Sequence, residues 1–165
     1  MCGIIGIAGF KPVQKRLVEA LQRLEYRGYD SAGIAISADG KLSKRRSKGK
    51  LEQLKSLLLN DGIEGNTGIG HTRWATHGAP TEDNAHPHST NKVSVVHNGI
   101  IENFDQLRAE LAQAGFSFKS ETDTEVVPLL ITHHLNQGAT KHDSIIKTLN
   151  RLEGAFALAI IFADD

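Results

Sequence analysis

Ser31-Ala32-Gly33-Ile34-Ala35-Ile36-Ser37-Ala38 and Lys41-Leu42-Ser43-Lys44-Arg45-Arg46-Ser47 flank Asp39-Gly40. That dipeptide supplies the positive φ angles a two-residue hairpin turn needs, so two antiparallel strands are predicted here. Upstream, Cys2 to Phe10 mixes Ile, Ala and Gly without alternation, the pattern of a short strand buried on both faces. Val13, Leu17, Leu21 and Leu24 between them fall at helical spacing, with Gly28 just beyond, predicting a helix over Val13 to Glu25.

Downstream, Leu51, Leu54, Leu57 and Leu58 mark a second short helix. Thr67 to His71 reads as a strand entering a long polar loop, Thr72 to Asn91, and Val93 to Val96 as another strand. Asn103 with Gln106, and Thr122 with Glu125, have the spacing of capping boxes that open helices. The second helix should run to Asn136, with Pro128 deep enough to distort it. A last helix, Lys141 to Leu152, precedes the apolar strand Ala155 to Phe162, which calls for a paired and covered environment. Strands occur both in adjacent pairs and separated by helices, so an α+β layered fold is expected rather than strict βαβ alternation.

Composition narrows the function classes. Nineteen Lys and Arg balance nineteen Asp and Glu, so no global pull toward nucleic acid or anionic membrane is expected. No apolar run approaches the roughly 18 residues of a membrane span. One cysteine among 165 residues makes neither an intrachain disulfide nor a Cys-rich zinc motif, which suits a reducing, cytoplasmic setting. No basic-then-apolar leader opens the chain, so the N-terminus is expected to be part of the fold.

Several residues carry chemistry of their own. Removal of Met1 would leave Cys2 with a thiol and an α-amine on one residue, with pKa values of about 8.5 and about 8, both poised for proton exchange near neutrality. Taken alone, a cysteine there is more often a small buried hydrophobe. His71-Thr72-Arg73-Trp74-Ala75-Thr76-His77-Gly78 places a guanidinium, an indole and imidazoles after a strand, and Arg73 could clamp a carboxylate with its planar fork or simply stack on Trp74. His97-Asn98-Gly99 ends a strand where amide N–H groups could meet a developing oxyanion, or is a plain Asn-Gly turn. Asp123, at a helix start, could bind an ammonium or complement the helix dipole.

Taken together, these blocks resemble one family. Cys2-Gly3-Ile4, Leu24-Glu25-Tyr26-Arg27-Gly28-Tyr29-Asp30-Ser31-Ala32-Gly33, the His71 to Gly78 block, Asn84-Ala85-His86-Pro87-His88, His97-Asn98-Gly99-Ile100-Ile101-Glu102-Asn103 and Ser120-Glu121-Thr122-Asp123-Thr124-Glu125 are similar to the N-terminal glutaminase domains of glucosamine-6-phosphate synthases. The resemblance implies an N-terminal-nucleophile hydrolase, a class II glutamine amidotransferase with a four-layer αββα sandwich. It implies that residues 2–165 are one such domain, incomplete at its C-terminus, with the sugar-isomerase partner domains and their fructose 6-phosphate site absent. Cys2 would be the nucleophile, with Asn98 and the N–H of Gly99 as the oxyanion hole. Arg73 would hold the carboxylate of L-glutamine and Asp123 its ammonium. Thr76 and His77 would lie beside them, Trp74 in the covering loop, and Arg27 and Gly28 at the border of the nucleophile. No cofactor or metal is implied.

The Glu25 to Asp30 wording departs from the His-Arg-Gly-Gln-Asp form of amidophosphoribosyltransferases, which are the alternative within the same fold. Other readings come from other classes. Eight histidines, with the pairs His86/His88 and His133/His134, could suggest metal binding. Lys41, Lys44, Arg45, Arg46, Lys48 and Lys50 could suggest nucleic acid, although a solvated hairpin strand explains them as well. A glutamine-binding but inactive fragment is the remaining rival.

Overall fold

The computed structural model describes residues 2–75 and 77–165. The hairpin forms as read: β2 (Ser31–Ala38) pairs antiparallel with β3 (Lys41–Lys48) around Asp39 and Gly40, at φ 51° and 73°. The other side of β2 pairs with β4 (Thr67–Arg73), and β4 pairs with β1 (Gly3–Ala8), giving a four-stranded sheet in the order β1-β4-β2-β3. A second antiparallel sheet has the order β5 (His88–Ser89), β6 (Val93–Ile101), β7 (Gly154–Phe162). Helices α1 (Gln14–Leu24) and α2 (Leu51–Asn60) cover the first sheet. The second is covered by α3 (Phe104–Gln113), α4 (Val126–Asn136) and α5 (Lys141–Leu149).

Three apolar cores separate these four layers, and strand alternation assigns residues to them. On β2, Ala32, Ile34 and Ile36 face Leu17, Leu21 and Leu54 of the helices, whereas Ala35 faces the other sheet. On β6, Val93, Val95 and Ile101 pack on Leu107, Val127 and Leu130, whereas Val96 meets Ile69 and Ile161 between the sheets. The helix α1 lies directly on β4, because Gly68 and Gly70 offer no side chain on that face. A Cβ at Gly68 would come within 2.8 Å of Leu17 Cδ1. The outcome is an αββα sandwich, the architecture that the resemblance implied.

Several local expectations are corrected. β1 is an edge strand, with Gly6 and Ala8 exposed and Ile4, Ile5 and Ile7 only half-buried, so its unalternating sequence does not reflect burial on both faces. β7 is paired as read, with β6, but its cover is incomplete: Gly154, Ala155 and Ala157 are exposed, and among the described residues its other edge has no partner strand. The segment after β4 is not a plain polar loop: Asn84 to His88 are buried, and His88 and Ser89 form β5. β6 continues through His97-Asn98-Gly99 to Ile101 because β7 pairs along its whole length.

Neither proposed capping box closes. Asn103 precedes α3, but its amide bridges to Arg151 O (2.8 Å) and Glu153 N (3.1 Å) instead. Glu125 accepts from the N–H groups of Lys119 and Ser120, and a 3-10 turn, Asp123–Glu125, intervenes before α4. The turn also resolves Pro128, which becomes the third residue of α4 and sits in its tolerant first turn. α5 ends at Leu149, three residues earlier than read. The basic hairpin strand is not simply solvated: Arg46 bonds Asp83 O and Ala85 O, and Arg45 pairs with Asp61 at 2.6 Å.

Candidate active site

The residues singled out from the sequence come from five places in the fold: the start of β1, the turn after α1, the end of β4 with the loop after it, the C-terminal half of β6 and the 3-10 turn before α4. β1 starts at the nucleophile candidate, antiparallel to the C-terminal end of β4, where Gly3 pairs with Thr72. The Cys2 N–H donates to Asn98 Oδ1 at 3.0 Å, across from one sheet to the other. Strand alternation explains this, since Asn98 shares the inter-sheet face of β6 with Val96. Trp74 brackets the thiol: its backbone N–H donates to Cys2 Sγ at 3.4 Å, and the thiol faces Trp74 O at 3.7 Å. Burial pushes the Cys2 thiol up, with the Trp74 N–H partly opposing it.

Arg27 and Gly28 border Cys2. Arg27 Nε donates to Cys2 O at 3.1 Å. A Cβ on Gly28 would lie 2.5 Å from the carbonyl carbon of Arg73 and 2.7 Å from Trp74 N, so only glycine lets that turn lie against the end of β4. Gly99 is similarly constrained by φ 142° and by Ala155 O, 2.2 Å from where its Cβ would stand.

Arg73 is buried and directed at the loop that follows it. Its guanidinium donates to Ala79 O (3.2 Å), Gly78 O (3.2 Å) and His77 O, and Asp30 lies 3.9 Å away. His77 also meets the Phe104 ring edge-on. Trp74 is half-exposed, with its ring against Tyr29 at 5.7 Å. Thr76 lies outside the described residues. Asp123, buried, accepts from Ile101 N at 2.9 Å.

Cys2, Arg73, Trp74, His77, Gly99 and Asp123 therefore line one small cavity of about 20 Å³, together with His86, His97, Thr122 and Thr124. Arg27, Gly28 and Asn98 adjoin it through Cys2 and Arg73. A thiol, a guanidinium and a carboxyl group sit on one cavity, with backbone and amide donors beside them, a set that matches a zwitterion carrying an amide.

Sequence reasoning missed two features. Asp30 neighbours Arg73 and accepts from the N–H of Ala75, anchoring the start of the loop. Its signal was present in the Glu25 to Gly33 block. Four buried histidines, 71, 86, 88 and 97, gather at the cavity, His86 and His97 on its wall, with His71 stacked on His86 at 4.1 Å. Burial lowers His71 to about 3 and keeps His86 and His88 well below the ordinary imidazole value. One nitrogen of each ring meets a hydroxyl or a carbonyl, and among the described residues no three His, Cys, Asp or Glu side chains converge as a metal site. No helix among them is long and apolar enough to cross a membrane.

This fold and cavity define a class. Residues 71–165 match the family model for the glutamine amidotransferase domain, and the chain belongs to that family. Over its whole length it is similar, at 58% identity, to a glutamine–fructose-6-phosphate aminotransferase (isomerizing) of Rhizobium meliloti strain 1021. The chain spans 27% of the length of that relative. Among solved structures, a glutamine phosphoribosylpyrophosphate amidotransferase from B. subtilis superposes with a TM-score of 0.83 at 30% identity, covering 99% of this chain and 35% of its own. The allosteric regulatory enzyme of purine biosynthesis superposes at 0.86 with 28% identity, covering 99% of this chain and 36% of its own.

Proposed function

We propose that this chain hydrolyses the side-chain amide of L-glutamine to glutamate and ammonia through a thioester on Cys2. The observation that carries this reading is the Cys2 N–H to Asn98 Oδ1 contact at 3.0 Å, with Arg73 and Asp123 on the same cavity as Cys2. With Met1 removed, the Cys2 nitrogen is an α-amine. It can donate one hydrogen to Asn98 while its lone pair accepts the thiol proton.

The thiolate then attacks the amide carbon, and the oxyanion is met by the Asn98 NH₂ and the Gly99 N–H. The α-ammonium returns its proton to the departing nitrogen as ammonia. Water next cleaves the thioester, giving glutamate and restoring the thiol. Arg73 would hold the substrate carboxylate, exchanging its contacts with the His77, Gly78 and Ala79 carbonyls for it. Asp123 would hold the ammonium, Thr76 and His77 would contribute neighbouring contacts, and Trp74 would cover the site.

The cavity as it stands has room for about one water, so glutamine binding requires that exchange at Arg73. We further read residues 2–165 as a glutaminase domain that works beside sugar-isomerase domains, supplying ammonia for glucosamine 6-phosphate synthesis from fructose 6-phosphate in the cytoplasm. The 58% identity to the aminotransferase, against 30% to the amidophosphoribosyltransferase, favours that pathway over the purine one.

The test is release of glutamate and ammonia from glutamine by the processed chain, alone and as Arg73→Lys. A lysine cannot reproduce the planar fork, so KM should rise by about tenfold or more with a smaller change in kcat. Glutamine binding without turnover would instead mark the chain as an inactive glutamine-binding fragment.

A further inference from the structure

On the wall of the cavity, Thr124 Oγ1 lies 2.8 Å from His86 Nε2, 2.8 Å from His97 Nδ1 and 3.5 Å from Asp123 Oδ1. All four side chains are buried, Thr124 completely. Among the described residues three nitrogens of the cluster have no partner: His71 Nδ1, His86 Nδ1 and His97 Nε2. Each neutral imidazole carries a single N–H, and a buried donor left unpaired is costly. The arrangement without such a donor puts the protons on His71 Nε2, His86 Nε2 and His97 Nδ1.

His71 Nε2 is 2.8 Å from the His97 carbonyl, which can only accept, so the first of these assignments also follows independently. His86 and His97 then both donate into Thr124 Oγ1 and fill its lone pairs. Its one proton must point away from them, and the acceptor left to it is Asp123 Oδ1. That contact is at the long end of hydrogen-bond range, with His97 Nδ1 itself 3.9 Å from the same oxygen. Asp123 Oδ2 accepts from Ile101 N at 2.9 Å, so each carboxylate oxygen is fixed by one donor of the protein.

From this geometry we infer that Thr124 is a positioning residue for recognition of the substrate α-ammonium: its hydroxyl, oriented by His86 and His97, holds the Asp123 carboxylate toward the cavity. The inference rests on the role of Asp123 given under Proposed function and extends it to three residues with no assigned part. The same contacts tie together the carriers of the site. His71 stands on β4 two residues before Arg73, His97 stands on β6 beside Asn98, and Thr124 adjoins Asp123 in the 3-10 turn. A parallel relay runs alongside, from His88 Nε2 to Thr122 Oγ1 (3.0 Å), Ser120 Oγ (3.0 Å) and Glu125 (2.7 Å), and it too ends on a carboxylate.

The experiment compares Thr124→Val and Thr124→Ser on two substrates, glutamine and 4-carbamoylbutanoate, which lacks the α-ammonium. The expected result for Thr124→Val is a rise of about tenfold in KM for glutamine with kcat within about twofold, no further loss on 4-carbamoylbutanoate, and recovery in Thr124→Ser. Equal losses on both substrates, a fall in kcat at unchanged KM, or no change on glutamine would overturn the inference. The hydroxyl's orientation is also read without turnover, from ¹⁵N-histidine NMR of the wild-type chain. An Nδ1–H tautomer at His97 with Nε2–H at His86 supports it, and the opposite tautomer at either ring overturns it. Absence of glutamine hydrolysis by the wild-type chain would count against the proposed function, while the tautomers still decide the orientation.

Discussion

Replacing Cys2 with alanine is expected to lower glutamine hydrolysis by about 10⁴-fold or more while leaving glutamine affinity within a few-fold. The reason is local. Burial pushes the thiol up, so at neutral pH it is protonated and needs a base, which in the proposed mechanism is its own α-amine, freed by removal of Met1. Both halves of that pair belong to one residue, and no other cysteine exists in the chain to replace the nucleophile. Removal of the thiol leaves the Arg73 and Asp123 ends of the cavity in place, so binding and chemistry separate. Steady-state ammonia release gives the first quantity, and calorimetric titration of Cys2→Ala with glutamine gives the second. Residual turnover within about a hundredfold of wild type would place the nucleophile elsewhere.

Asn98→Ala should cost about 10²–10³-fold in kcat with a small effect on KM. Asn98 Oδ1 is engaged by the Cys2 N–H, and that contact orients the amide so that its NH₂ end is the donor offered to the oxyanion. An oxyanion develops only after attack, so the lost interaction is one the transition state makes and the bound substrate does not. The partner donor, the Gly99 N–H, rests on a backbone φ of 142°, tightly packed on Ala155. Kinetics of Asn98→Ala at saturating glutamine checks the expectation. A rise in KM at unchanged kcat would assign Asn98 to substrate binding.

How far these features were legible varied with how local their causes are. The Asp39-Gly40 hairpin was readable because the turn chemistry is carried by two adjacent residues, and the structure keeps the strands on either side of them. The helices α1 and α2 were readable from leucine spacing, since their apolar stripes pack on one sheet face. β6 was read too short because Asn98-Gly99 has the wording of a turn, whereas pairing with β7, distant in sequence, carries the strand straight through. Asn103 and Glu125 have capping-box spacing, but each is drawn to backbone groups outside its helix start, so a local rule yielded to tertiary contacts.

The site itself was legible as residue types and not as geometry. Cys2, Arg73, Asn98 and Asp123 stood out by their chemistry, yet their convergence depends on two sheets packing face to face. Of the histidine cluster only the His86/His88 pair stood out in the sequence, since His71 and His97 join it only across the two sheets and the segment between them. Thr124, between two acidic residues at a helix start, looks from the sequence like one more N-terminal residue.

The central claim, that a processed Cys2 is the nucleophile of a glutamine site, is tested most directly by intact-mass measurement. The chain is weighed before and after exposure to 6-diazo-5-oxo-L-norleucine, a glutamine-like electrophile, with and without excess glutamine. The expected result is a mass lacking Met1 and a single adduct mapped to Cys2, whose formation glutamine suppresses. Retained Met1, or alkylation that proceeds at the same rate with glutamine present, would contradict the account.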